Sequence, residues 1–192
     1  MGITADEFFE NIYSVIFSPK AFYENKEVKI SIRVALGTIL FVALINKMAA
    51  GVLDGSIAMI TFLSSLVWHL IFISAIWFLT ALFFEYTAKI FFKEGNFPKI
   101  LFYTAFAPVP YIFFAPLNLI KQAGDFGYIV ASLSEFAIFV WIVALYAYSI
   151  KTAYNISLSR AFMLIFLPFV SVFFFIYWSI CFFIKMGYIF SV

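Results

Sequence analysis

The sequence predicts an all-α integral membrane protein: a five-span transmembrane helix bundle with an N-terminal amphipathic helix and a proline-broken third span. Three observations carry this expectation. Of the 192 residues, 66% are hydrophobic and 11% charged, against roughly 25% charged in soluble domains. The apolar residues gather into five segments, each about the ~20 residues needed to cross ~30 Å of hydrocarbon. The third segment carries Pro108, Pro110 and Pro116. Each proline removes a backbone donor and clashes with the carbonyl four residues back, and each steers the residue before it away from helical angles.

The chain opens on a cytoplasmic amphipathic lead, residues 1–30. Asp6, Glu7 and Glu10 stand where a signal peptide would be basic, and no continuous apolar stretch follows, so no signal peptide is expected. Thr4-Ala5-Asp6-Glu7 reads as a capping box. Phe8, Phe9, Ile12, Tyr13, Ile16 and Phe17 then share one helical face. Ser18 and Pro19 end this helix and are suited to restart another, as cap and first position. With lysines close by, the apolar face has two destinations: the membrane surface or the protein's own spans, and the two are compatible.

Residues 31–192 form one five-span membrane domain, with spans at about 31–53, 57–84, 100–120, 127–150 and 161–184. Asn46 and Lys47 lie toward the far end of the first span, where a lysine snorkels to the headgroups. Asp54-Gly55-Ser56 makes a tight turn, and residues 85–99 form a loop with Gly95 and Pro98 as breakers. A broken third span frees carbonyls near Thr104, Phe106 and Ile112. Lipid offers them no donor, so other spans must wrap the break or it must line a cavity. Polar residues at 121–126 and 151–160 separate the last three spans, and Pro168 lies inside the fifth.

Basic residues set the orientation. Lys20, Lys26, Lys29, Arg33, Lys89, Lys93, Lys99, Lys151 and Arg160 fall on one side, and only Lys47, Lys121 and Lys185 on the other. The expectation is a multi-pass protein of the cytoplasmic (inner) membrane, N-terminus cytoplasmic and C-terminus outside. Lys20, Lys26, Lys29, Arg33, Lys89 and Lys93 are candidate contacts for anionic lipid or partners. Glu85, Lys89 and Lys93 read as a solvated helical ladder at four-residue spacing.

Chemistry has few places to live. Cys181 is the lone cysteine, which excludes an internal disulfide. His69 is the lone histidine, near the middle of the second span, and no HxxxH, HxxE or CxxC spacing accompanies it; a metal or other cofactor is not expected. An ionisable residue at that depth is a functional candidate, although the reading as a packed neutral histidine is the favoured one. Glu135 lies about 8 Å into the fourth span by helical rise. Lys47, Lys121, Asn118, Ser132 and Ser134 are its available partners, and reaching His69 would require tilt or a water. His69, Asn118 and Glu135 are therefore the candidate polar intramembrane residues. Thr61, Ser64, Ser65, Ser74 and Thr80 suit close helix packing with bonds across the interface. No GxSxG, phosphate loop, dinucleotide fingerprint or HExxH is present. No enzyme is expected, and no basic surface invites nucleic acid.

Three segments together resemble a known family. They are Ser18-Pro-Lys-Ala-Phe-Tyr23, the Gly-Asn-Phe loop entering Tyr-Thr-Ala-Phe-Ala-Pro over residues 95–108, and Ser157-Leu-Ser-Arg-Ala161 before the last span. This is similar to the Yip-domain family (Ypt/Rab-interacting protein type), especially its short prokaryotic members. The resemblance implies five spans, a cytoplasmic N-terminus and, in eukaryotic relatives, contacts with small GTPases and with one another. The chain departs from those relatives in lacking their long N-terminal region and the Asp-Leu-Tyr-Gly-Pro type motif, so GTPase binding is not carried over. Two functions follow as expectations. One is a non-enzymatic protein organising membrane lipids or protein partners. The other is a transporter, channel or lipid scramblase with a polar cavity beside residues 108–116. A tightly packed bundle favours the first and a water-accessible cavity the second. The oligomeric state is left open, with no clear GxxxG seam.

Overall fold

A computed structural model describes residues 5–25, 28–54, 59–92 and 95–190. Eight α-helices follow one another, with no strand among the described residues. Helix α1 is Ala5–Phe17 and α2 Pro19–Glu24; α3 is Ile32–Asp54 and α4 Met59–Phe92. The third apolar segment is composite: α5 (Phe97–Thr104), a 3₁₀ turn (Val109–Phe113), α6 (Phe114–Ile120) and a second 3₁₀ turn (Lys121–Ala123). Helices α7 (Asp125–Tyr154) and α8 (Leu158–Phe190) complete the chain. Five stretches are long and apolar enough to cross a membrane: Ile32–Gly51, Met59–Phe92, Phe97–Ala123, Asp125–Tyr154 and Leu158–Phe182.

The broken segment is the centre of the bundle. Phe102, Phe106 and Val109 are wholly buried, and α3, α4 and α7 all pack on α5. Two of the carbonyls released by proline, those of Thr104 and Phe106, find donors inside the segment, and Pro108 O does likewise. Ala107 N–H donates to Thr104 O at 3.3 Å, Val109 N–H to Phe106 O at 3.1 Å and Tyr111 N–H to Pro108 O at 2.9 Å. Tightening from four-residue to three-residue bonds is the ordinary way a helix absorbs lost partners. The Thr104 hydroxyl also bonds within its helix, to Ile100 O at 2.6 Å, and accepts from Trp77 Nε1 at 3.3 Å.

Several expectations are corrected. Helix α4 runs on to Phe92, so 85–92 is helix rather than loop; no breaker precedes Gly95. Helix α7 likewise begins at Asp125 and continues to Tyr154, taking in part of both flanking connections. Ser64, Ser74 and Thr80 donate to carbonyls of their own helix, three or four residues back. They close on their own backbone instead of bonding across an interface. Ser18 does precede α2, with Pro19 in the first turn, but its side chain makes no cap bond. Thr4, Gly55 and Ser56 lie outside the described residues.

Helix α1 meets the bundle through Ile12 and Val15, which are buried, with Phe8 and Ile16 beside them, while Phe9, Tyr13 and Phe17 stay exposed. Helix α8 packs on α7, and Ala161 and Leu164 near its start are wholly buried. Farther on, Phe173 to Trp178 are all exposed.

Candidate functional site

Helices α3, α4, α6 and α7 line an open-sided cavity of about 780 Å³ beside the break. Its lining includes His69 from α4, Asn118 from α6 and Glu135 from α7, the three polar residues singled out in the sequence. Pro108 and Tyr111 reach it from the broken segment, and Asn46 from α3. Trp77, Ile142 and Tyr146 form part of the remaining wall. The break therefore adjoins a largely apolar cavity into which a few polar side chains reach; the bonded carbonyls of Thr104 and Phe106 are not part of its lining.

Glu135 and Lys121 form an ion pair at 2.6 Å, both partly shielded. Lys121 also stands 5.9 Å from the centroid of the Tyr128 ring. Of the partners the sequence offered to Glu135, Lys121 is the one engaged. The Ser134 hydroxyl donates instead to Val130 O at 2.9 Å. Lys121 is fixed by the 3₁₀ turn ahead of α7, where Gly124 takes φ 87°. That angle is open to glycine and strained for side-chain-bearing residues. Gly127 then lets α7 start directly against Ile120 and Ala123.

Helices α4 and α7 face each other across this cavity without broad contact. At the end nearer α2 they are joined by the Phe84–Tyr146 ring contact and by Tyr154, whose hydroxyl donates to Glu85 Oε2 at 3.0 Å. Glu85 was expected on a solvated ladder. It is 6% exposed, and it also receives the Asn96 backbone N–H at 3.0 Å and Lys89 Nζ at 2.9 Å. A carboxylate becomes tolerable in such a place when donors surround it. Asn96 in turn caps α5, its side chain accepting from Lys99 N–H at 3.3 Å. One acid thus ties α4, the entry to α5 and the end of α7. The signal available in sequence was a lone acid inside Leu-Phe-Phe-Glu-Tyr-Thr-Ala, a pattern that demands a partner.

A second polar knot lies under α2. Tyr23 is buried and Ser149 wholly so. Ser149 Oγ stands 2.8 Å from Leu145 O, 3.1 Å from Tyr103 O and 3.3 Å from the Tyr23 hydroxyl; its single proton serves one of them at a time. Burial pushes the Tyr23 phenol above its ordinary range, so it remains a donor. Lys151 joins Glu24 at 3.1 Å on the outside of the same contact.

The candidate surface cations Lys20, Lys29, Arg33 and Lys89 are exposed; Lys26 and Lys93 lie outside the described residues. Among the described residues no group of His, Cys, Asp and Glu is arranged to hold a metal. No protein-family model, curated protein or solved structure matches this chain.

Proposed function

We propose that this chain is a non-enzymatic multi-pass protein of the cytoplasmic membrane, N-terminus cytoplasmic, which engages membrane lipid through the cavity beside its broken third span. The observation that carries the reading is the convergence of His69, Asn118 and Glu135 on one cavity. Polar side chains at membrane depth are costly unless they have partners or a task. Glu135 has Lys121, whereas no hydrogen bond joins His69 or Asn118 to other side chains among the described residues.

The Yip-like reading belongs to the same proposal. It is supported by how the resembling segments meet: Phe22 rests on Phe106 at 4.9 Å between centroids, and Tyr23 on Tyr103 at 5.7 Å. The amphipathic lead fits it too. Helix α1 keeps Phe9, Tyr13 and Phe17 outward at four-residue spacing, a stripe suited to the headgroup boundary. Anionic lipid and other membrane proteins are the proposed partners of the exposed cations.

The test is native mass spectrometry after extraction in mild detergent. The intact chain retains phospholipid, and the double change His69→Leu with Asn118→Leu lowers retention at least about tenfold, the worth of one charge-assisted hydrogen bond. Equal retention in both proteins refutes the reading.

A cavity is also the feature expected of the second reading, a lipid scramblase or transporter. Its prediction is flux in liposomes that falls when Glu135 or His69 becomes apolar. Against a simple channel stands the wholly buried row Phe102, Phe106 and Val109 beside the cavity.

A further inference from the structure

A second, apolar groove of about 530 Å³ lies between α4, α7 and α8, lined by Leu79, Phe83, Ile165 and Pro168 among others. It shares Ile76, Val143 and Tyr146 with the polar cavity, so the two lie side by side along the gap between α4 and α7. We propose that this α4–α7 seam is a slot for one bilayer phospholipid, with its headgroup in the polar cavity and an acyl chain in the groove. The proposal rests on the lipid-engaging reading above and adds to it the ligand class, its direction and its route of entry.

Four observations fit that occupant. Chemistry changes along the seam in the order of a lipid. At one end stand Asn118, His69 and Glu135 in the lining, with Lys121 held behind Glu135 by their ion pair, groups that suit a polar headgroup. At the other, the polar side chains are Thr80, whose hydroxyl is engaged with Ile76 O at 2.8 Å, and Tyr146 at the junction with the cavity. Length agrees as well: from Glu135 to Tyr146 along α7 the helical rise gives about 16 Å, against ~15 Å for half of a ~30 Å hydrocarbon core. The entrance is lateral, because α4 and α7 lack broad contact and are tied by Phe84–Tyr146 and Glu85–Tyr154 at the far end. Finally, Pro168 and Ile165 of α8 wall the groove, which gives the fifth span a role beyond bulk.

Trp77 lines the cavity and is 6% exposed, which makes it the reporter. A protein carrying W68F, W141F and W178F keeps Trp77 alone. It is placed in vesicles of phosphatidylcholine brominated at mid-chain, beside a variant keeping only Trp68, which is exposed. A filled slot gives quenching of Trp77 comparable to that of Trp68. Val143→Phe, which fills the junction, reduces it at least about twofold with the helical circular dichroism unchanged; Ile76→Phe replaces it if that variant fails to fold. Trp77 left unquenched while Trp68 is quenched overturns the slot, as does a cross-linked dimer that shields Trp77. Phospholipid retention that depends on His69 and Asn118, with Trp77 unquenched, sinks the slot and leaves the cavity reading standing. Loss of both observations sinks both.

Discussion

Glu85 shows how much one side chain decides in a membrane bundle. Helices in lipid gain little from burying apolar surface against one another, so packing and hydrogen bonds hold them together. Glu85 collects the Asn96 N–H, the Tyr154 hydroxyl and the Lys89 ammonium. Glu85→Ala strands two donors in a buried place, each costing about 1–3 kcal/mol. Thermal unfolding in detergent should therefore show a clearly lowered midpoint, with Glu85→Gln retaining most of the stability because the amide oxygen still accepts. Equal midpoints for Ala and wild type would remove Glu85 from its hub. The residue was visible in sequence as an acid beside an apolar run, but its spacing to Lys89 and Lys93 argued for a solvated face. Asn96 is 11 residues away and Tyr154 is 69; no local pattern encodes such partners. His69 and Asn118 were legible for the opposite reason, since a polar group inside an apolar segment stands out by itself.

At the scale of elements, the broken third span was legible as a break and not as a geometry. Three prolines announce that a regular helix stops; they do not say whether the freed carbonyls turn to water, to neighbouring spans or to their own chain. The three-residue bonds at Thr104, Phe106 and Pro108 take the last course. Helix ends were least legible where no breaker marked them, as at α4, which outruns its apolar stretch by a run containing Glu85 and Lys89. The hairpin into α7 allows a signed prediction. Alanine is favoured over glycine inside a helix by about 1 kcal/mol. At Gly37 an added Cβ meets Phe8 at an ordinary 3.8 Å, so Gly37→Ala should raise the unfolding midpoint. At Gly127 the same atom collides with the Ile120 carbonyl oxygen, and overpacking costs about 1–3 kcal/mol. Gly127→Ala should therefore lower the midpoint despite its better helix propensity. Matching shifts at the two sites would contradict the close approach of α6 and α7.

For the whole molecule, the packing is uneven in a way that organises function. One end is dense: α2 locks Phe22 and Tyr23 onto α5 and Ser149 of α7, and Glu85 closes the α4–α7 seam. Toward the other end the same helices part around His69, Asn118 and Glu135. Composition foretold five helices long and apolar enough to cross a membrane, because hydropathy is a sum over many residues. A polar cavity beside the break was one of two expectations from sequence; its walls were not legible, since they depend on which faces of four separate helices meet. The most direct measurement is photo-crosslinking with a phospholipid carrying a diazirine in its headgroup, incorporated into vesicles with the intact protein, followed by mass mapping of adducts. Adducts on the peptides bearing Asn118 and Glu135, suppressed by an excess of unlabelled phospholipid, are the predicted result. Adducts confined to exposed surfaces such as residues 173–178 of α8, with the cavity peptides unmarked, would contradict it.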